Sequence, residues 1–205
     1  KHSLYSERLL EGNGDVPQMR TAFMAIRPKT FLDYLPQSLE IIDCSNNKIV
    51  ELDFLPQNLL ELDCSNNNIN QLNNLPKKII NLRCIDNKLN SLDLLPISLI
   101  NLQCDFNNIK QLNNLPLKLV KLSCSDNNLE TLDNLPESLE ELDCQKNQIK
   151  LLNNLPKNLK ILNCPLNKIE HLDFIPDTLE YLYCSHNQIK KLNKLPEILK
   201  ELDCD

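Results

Sequence analysis

The sequence predicts a solenoid of stacked parallel strands, and three observations predict it. Nine cysteines stand at positions 44, 64, 84, 104, 124, 144, 164, 184 and 204, each twenty residues from the last. Aligned on the cysteine, every unit reads L-P-x-x-L-x-x-L-x-C-x-x-N-x-[IL]-x-x-L-x-x, and only Ile replaces Leu at its apolar positions, as at Ile42, Ile79 and Ile175. Within each unit a short stretch alternates apolar and polar. So strict a period without insertions means that each unit is one coil, stable only against its neighbours.

The strand comes first. In Glu61-Leu62-Asp63-Cys64-Ser65 the period-two pattern sends Leu62 and Cys64 into the core and Glu61, Asp63 and Ser65 outward. Three residues after each cysteine of a complete unit stands an asparagine, from Asn47 to Asn187. An amide both donates and accepts, so it can satisfy backbone groups where the chain leaves the strand. The return half of each unit is too short for an ordinary helix. Its proline, at 36 and every twenty residues to 196, fixes φ and biases the preceding residue towards extended geometry. An extended, polyproline-like convex side is expected. Each unit buries about six apolar side chains, in the second unit Leu55, Leu59, Leu62, Cys64, Ile69 and Leu72, each large one contributing about 1.5–3 kcal/mol. The residue after the last Leu alternates, as in Asp53, Asn73, Asp93 and Asn113. That alternation separates like charges in a stack, and a history of 40-residue duplication explains it equally well.

Residues 35–205 are thus repeats, eight complete units and a ninth ending at Cys204-Asp205. Residues 1–34 differ and read as a helical N-terminal cap. Ser3 to Leu10 suit a short helix, and Gly12 and Gly14 end it. Asp15 suits an N-cap with Pro17 in the first turn, and Met19, Phe23 and Ile26 then form an apolar face.

Stacked strands lie about 4.8 Å apart, but parallel Cβ vectors keep neighbouring cysteines beyond the Cβ separation of about 3.8 Å that a disulfide prefers. The nine cysteines therefore read as free thiols acting as small core hydrophobes, which suits a reducing, intracellular compartment. No C-x-x-C pair exists, and a straight row of sulfurs makes no tetrahedral zinc site. The formal charge of −6 argues against nucleic acid as partner. There is no apolar run of transmembrane length.

The pattern L-x-x-L-x-C-x-x-N-x-I-x-x-L resembles the leucine-rich repeat consensus across residues 35–205. The twenty-residue length and Leu-Pro beginnings, as in Leu135-Pro136-Glu137-Ser138-Leu139-Glu140-Glu141-Leu142, resemble the short repeats of bacterial type III effectors. The wording rich in Asn, Ile and Lys, with Cys in the strand, looks similar to leucine-rich repeat proteins of giant amoebal viruses. The resemblance implies a curved solenoid with its parallel sheet on the concave side and a helical N-terminal cap. In the effectors a ubiquitin-ligase domain sometimes follows.

No catalytic constellation emerges: His2, His171 and His186 lie far apart, and no phosphate loop, nucleophile elbow, cofactor motif or metal-ligand spacing is present. The chain reads as a non-enzymatic, cytoplasmic module that binds a protein partner through its concave face. Two other classes stand beside it: the recognition arm of a larger ubiquitin-ligase-type effector, and a structural or virion component. On the strand face, Tyr181 and Tyr183 stand beside Ile161, with Leu166 and His186 at the strand exits. Clustered aromatic and aliphatic side chains suit a binding hot spot, or else they meet further repeats or a C-terminal cap. Asp43, Glu61 and Asp63 make the first strands acidic, continued by Asp86, Asp105 and Asp126. They form either a solvated acidic face or a seat for a cation or a basic partner. A third surface carries Leu60, Ile80, Ile100 and Val120, with Ile97 and Leu117 nearby. This aliphatic flank is either partly buried within the array or a self-association surface.

Overall fold

A computed structural model describes residues 21–23 and 35–205, apart from 153 and 193. Among the described residues there are ten strands of three residues, β1 (Thr21–Phe23), β2 (Ile41–Asp43), β3 (Glu61–Asp63), β4 (Asn81–Arg83), β5 (Asn101–Gln103), β6 (Lys121–Ser123), β7 (Glu141–Asp143), β8 (Ile161–Asn163), β9 (Tyr181–Tyr183) and β10 (Glu201–Asp203). They form one parallel sheet in sequence order. Every pair is in register at twenty residues, Leu62 opposite Leu82 and Leu82 opposite Leu102. The repeat period is therefore the sheet register.

The core is a column of stacked Leu, Ile and Cys. The six apolar residues expected in the second unit are all buried, with Leu59, Cys64 and Ile69 wholly inaccessible. The eight cysteines from Cys44 to Cys184 are buried and free, and Cys204 is free and exposed. Several thiols donate to the carbonyl of the next coil: Cys64 Sγ to Arg83 O at 3.3 Å and Cys104 Sγ to Ser123 O at 3.3 Å. Burial first, then the nearby carboxylates of Asp43 and Asp63, pushes the Cys44 thiol up from its ordinary 9.0 to about 12. The sulfurs are neutral packing atoms.

The asparagines stitch coil to coil. Asn67 Oδ1 accepts from the Ile49 N–H of the coil before it at 2.9 Å. Its amide nitrogen donates to Cys44 O, Cys64 O and Ser65 O. The chain makes this turn with positive φ at the second residue after the cysteine: Asn46, Asn66, Asp86, Phe106, Asp126, Lys146, Leu166 and His186 have φ from 49° at Asp126 to 57° at Asn46. Asn and Asp tolerate this region; Phe, Lys and Leu adopt it at a cost.

The convex side holds no helix among the described residues. Each proline instead accepts a turn hydrogen bond from the residue three positions on, such as Leu59 N–H to Pro56 O at 3.1 Å, and extended chain follows. Isolated parallel bridges join some return segments, Thr131 to Leu151 and Leu151 to His171.

Two sequence expectations change here. Most of the predicted cap, residues 1–20 and 24–34, lies outside the described residues. Within it, Thr21–Phe23 is a strand paired with Ile41–Asp43, not part of a helix bearing Met19, Phe23 and Ile26. These three residues stand twenty before β2, and the free N–H and C=O groups on that edge of the sheet need partners. Ser65 is buried rather than outward, at 7% exposure. The left-handed turn that follows folds the position after the cysteine beneath the next coil, where Ser65 Oγ accepts from Ile85 N–H at 3.2 Å.

Candidate protein-recognition surface

The outward residues of the sheet line an open groove of about 710 Å³ that runs from Ile41 to Tyr183. Strand alternation places two side chains per coil in it, and the twenty-residue register brings each next to its equivalents in adjacent coils.

At the first end, Asp43 lies directly opposite Asp63 in the β2–β3 register. Three contacts relieve the two charges. Asp43 Oδ1 accepts from Ser45 N–H and Asp63 Oδ1 from Ser65 N–H, both at 3.0 Å. Arg83 Nη1 stands 3.9 Å from Asp63 Oδ2. Glu61 is half-buried beside them. The acidic run does not continue as expected. Asp105 is 8% exposed and accepts from Ser123 Oγ–H at 2.6 Å and Ser125 N–H at 2.7 Å. Asp126 pairs with Lys146 at 3.4 Å. Asp105 and Asp126 thus tie coils together, and of the predicted acidic run only the first strands and Asp86 stay open.

The middle is amide-rich and internally paired. Asn101 Nδ2 donates to Asn81 Oδ1 at 2.6 Å, and Lys121 Nζ meets Glu141 Oε1 at 2.6 Å. At the far end, Ile161 is in register with Tyr181, and Asn163 with Tyr183. All four are half-buried. Leu166, 44% exposed, and the exposed His186 stand at the strand exits. The structure therefore assembles the five residues of the predicted hot spot at one end of the sheet. Ile161 and Tyr183 line the groove, and Tyr181 stands at its margin. Loss of hydration, then a hydrogen bond with Glu201, holds the Tyr183 hydroxyl above its ordinary 10.0.

Sequence reasoning missed Lys200, whose Nζ lies 5.7 Å from the centre of the Tyr181 ring and pairs with Glu180 at 2.5 Å. Its signal was present: every described ion pair joins residues twenty apart, and Glu180 and Lys200 occupy one column. Of the aliphatic flank, Leu60, Ile80, Ile100 and Val120 are half-buried, whereas Ile97 and Leu117 stand open. The four half-buried residues also carry the backbone ladder beside the sheet, as where Ile100 N–H donates to Ile80 O at 2.9 Å. Among the described residues no group of His, Cys, Asp and Glu is placed to hold a metal ion. No helix there is long and apolar enough to cross a membrane.

The chain has the fold of leucine-rich repeat proteins, with one coil every twenty residues. YopM from Yersinia enterocolitica WA-314 superimposes with a TM-score of 0.79 at 38% identity, covering 83% of this chain and 38% of YopM. YopM of Yersinia pestis, described as a leucine-rich effector protein, gives 0.75 at 32% identity over 82% of this chain and 55% of that one. The giant-virus protein CroV588, described as a circular leucine-rich repeat structure, gives 0.63 at 29% identity over 83% of this chain and 27% of that one. The chain thus spans little more than half, or less, of each of these proteins. Neither a protein-family model nor a curated protein matches it.

Proposed function

We propose that the chain is a non-catalytic recognition module that binds a protein partner through the concave sheet face, and that it works inside a cell. One observation carries the reading. From β3 to β7 the outward residues of the sheet face are all polar, but at β8 and β9 the face presents Ile161, Tyr181 and Tyr183 half-open, with Leu166 outward at the rim. Tyrosines give large contact area with few rotatable bonds, and a cluster with an aliphatic neighbour is the usual composition of an interface centre. The acidic first strands would then add orientation and on-rate more than affinity. Cytoplasmic placement is supported by eight buried thiols that never pair, in keeping with a reducing compartment.

The test is affinity capture from extract of the cell in which the protein acts. The doubly substituted Tyr181→Ala/Tyr183→Ala chain should lose the partner that the wild-type chain retains, with circular dichroism and melting unchanged. Retention of the same partner by that variant would refute the concave-face reading.

A further inference from the structure

Ile97 and Leu117 are the most exposed large hydrophobic residues among those described, at 84% and 83%. They occupy the same turn position in consecutive coils, each directly after a proline. Leu94, three residues before Ile97, is 64% exposed, and the half-buried Ile100 and Val120 lie three residues beyond. The turns that present them are held from below. The single Ser98 hydroxyl hydrogen is shared between Lys77 O at 2.7 Å and Ile79 O at 2.6 Å, and that of Ser138 between Leu117 O at 2.9 Å and Leu119 O at 2.6 Å. A ridge already held in place loses little freedom when something docks on it.

The charges along this ridge say what docks. One column of turn residues reads Lys77, Ile97, Leu117, Glu137, and the two charged residues are exposed. We propose that the ridge joins two copies of this chain side by side, with their coils running in opposite directions about a two-fold axis between Ile97 and Leu117. Ile97 then meets the partner's Leu117, and Lys77 meets the partner's Glu137; the two-fold repeats both contacts. In the neighbouring column Ser98 meets the partner's Lys118 and Lys78 the partner's Ser138, so no like charges are opposed there.

The nearest alternative arrangements fail on charge. Coils running in the same direction about a two-fold axis set Lys77 against the partner's Lys77. A shift of one coil in the antiparallel pair puts Lys77 against Leu117, or Ile97 against Glu137. The apolar patch is small beside the roughly 800 Å² per partner of a standard tight complex, so the pair is a weak one, with a dissociation constant in the micromolar range or above.

Sedimentation equilibrium of the full chain over a concentration series should show a monomer–dimer equilibrium. Ile97→Glu and Leu117→Glu should each make the chain monomeric with an unchanged circular dichroism spectrum. Charge reversal tests the register. Lys77→Glu alone sets two carboxylates against two carboxylates, and Glu137→Lys alone sets ammonium against ammonium. Each should weaken the dimer by about tenfold or more. An equimolar mixture of the two single variants restores both opposite pairs and should dimerise as well as the wild type. Tyr181→Ala/Tyr183→Ala should leave the dimer intact, so failure here is separate from failure of concave-face recognition. A chain that stays monomeric throughout would overturn the proposal. So would a dimer that survives Ile97→Glu, or a mixture that associates no better than either variant alone.

Discussion

Asn107 shows how one side chain carries more than its own coil. Its Oδ1 accepts from Leu89 N–H at 3.0 Å, and its Nδ2 donates to Cys84 O, Cys104 O and Asp105 O at 2.9–3.1 Å, all buried. Asn107→Ala takes away the acceptor of the buried Leu89 N–H, a loss costing about 1–3 kcal/mol, while Cys84 O, Cys104 O and Asp105 O keep Asn87 Nδ2, Asn127 Nδ2 and Asp86 N–H as donors. The expected loss is about 1–3 kcal/mol in urea unfolding, well above that of a surface substitution such as Lys88→Ala. The thiols make a second prediction at this scale. A thiol reagent should modify Cys204 alone in the native chain and all nine cysteines once it is unfolded. Burial and Cys–Cys proximity without pairing follow from straight, parallel Cβ vectors, which is why the row was readable from spacing alone.

Among the elements, the tight turn after each strand is where packing and function compete. The eight complete coils turn there through positive φ, and Asn or Asp fills the position at 46, 66, 86 and 126. Leu166 instead holds φ of 56° with 44% of its surface exposed. That is a residue paying for its conformation without burying its side chain. Leu166→Gly removes the clash of Cβ, worth about 1 kcal/mol, and should raise the urea midpoint while weakening the partner captured by the concave face. A gain in both stability and binding would remove Leu166 from the recognition surface. The turn itself was not legible in the sequence. The C-x-x-N spacing marked a polar exit, but the left-handed residue decides which neighbours go under the next coil, and so why Ser65 and Asp105 are buried while Leu166 stands out.

Across the whole molecule, stability is carried by contacts between coils. Removing residues 95–114, one full period, keeps every remaining strand in register, so the shortened chain should fold and unfold cooperatively with a smaller urea m-value. Removing residues 105–114 alone breaks the register and should unfold it. Alkali tests the thiol column as a unit. All eight buried thiols have folded pKa values raised above the ordinary 9.0, chiefly by burial. Above pH 9 the unfolded chain releases thiol protons that the folded chain keeps. Stability therefore stays level below about pH 9 and falls beyond it, by about 1.4 kcal/mol per pH unit for each fully buried thiol. A pH titration by circular dichroism should show steep cooperative unfolding starting there, moved to higher pH in a chain with several cysteines replaced by Ala.

Periodicity alone settled the coil length, the strand with Leu and Cys inward, the structural asparagines and the absence of room for a helix on the return. A side chain's fate in a strict repeat depends mainly on its place in the coil, and that place is written in the spacing. Tertiary structure decided what spacing leaves open: that Thr21–Phe23 joins the sheet, that Asp105 turns inward to Ser123 and Ser125, and that Arg83 stands over Asp63. Each of these rests on a backbone turn or on a side chain reaching into an adjacent coil. Such contacts exist only once the coils are stacked.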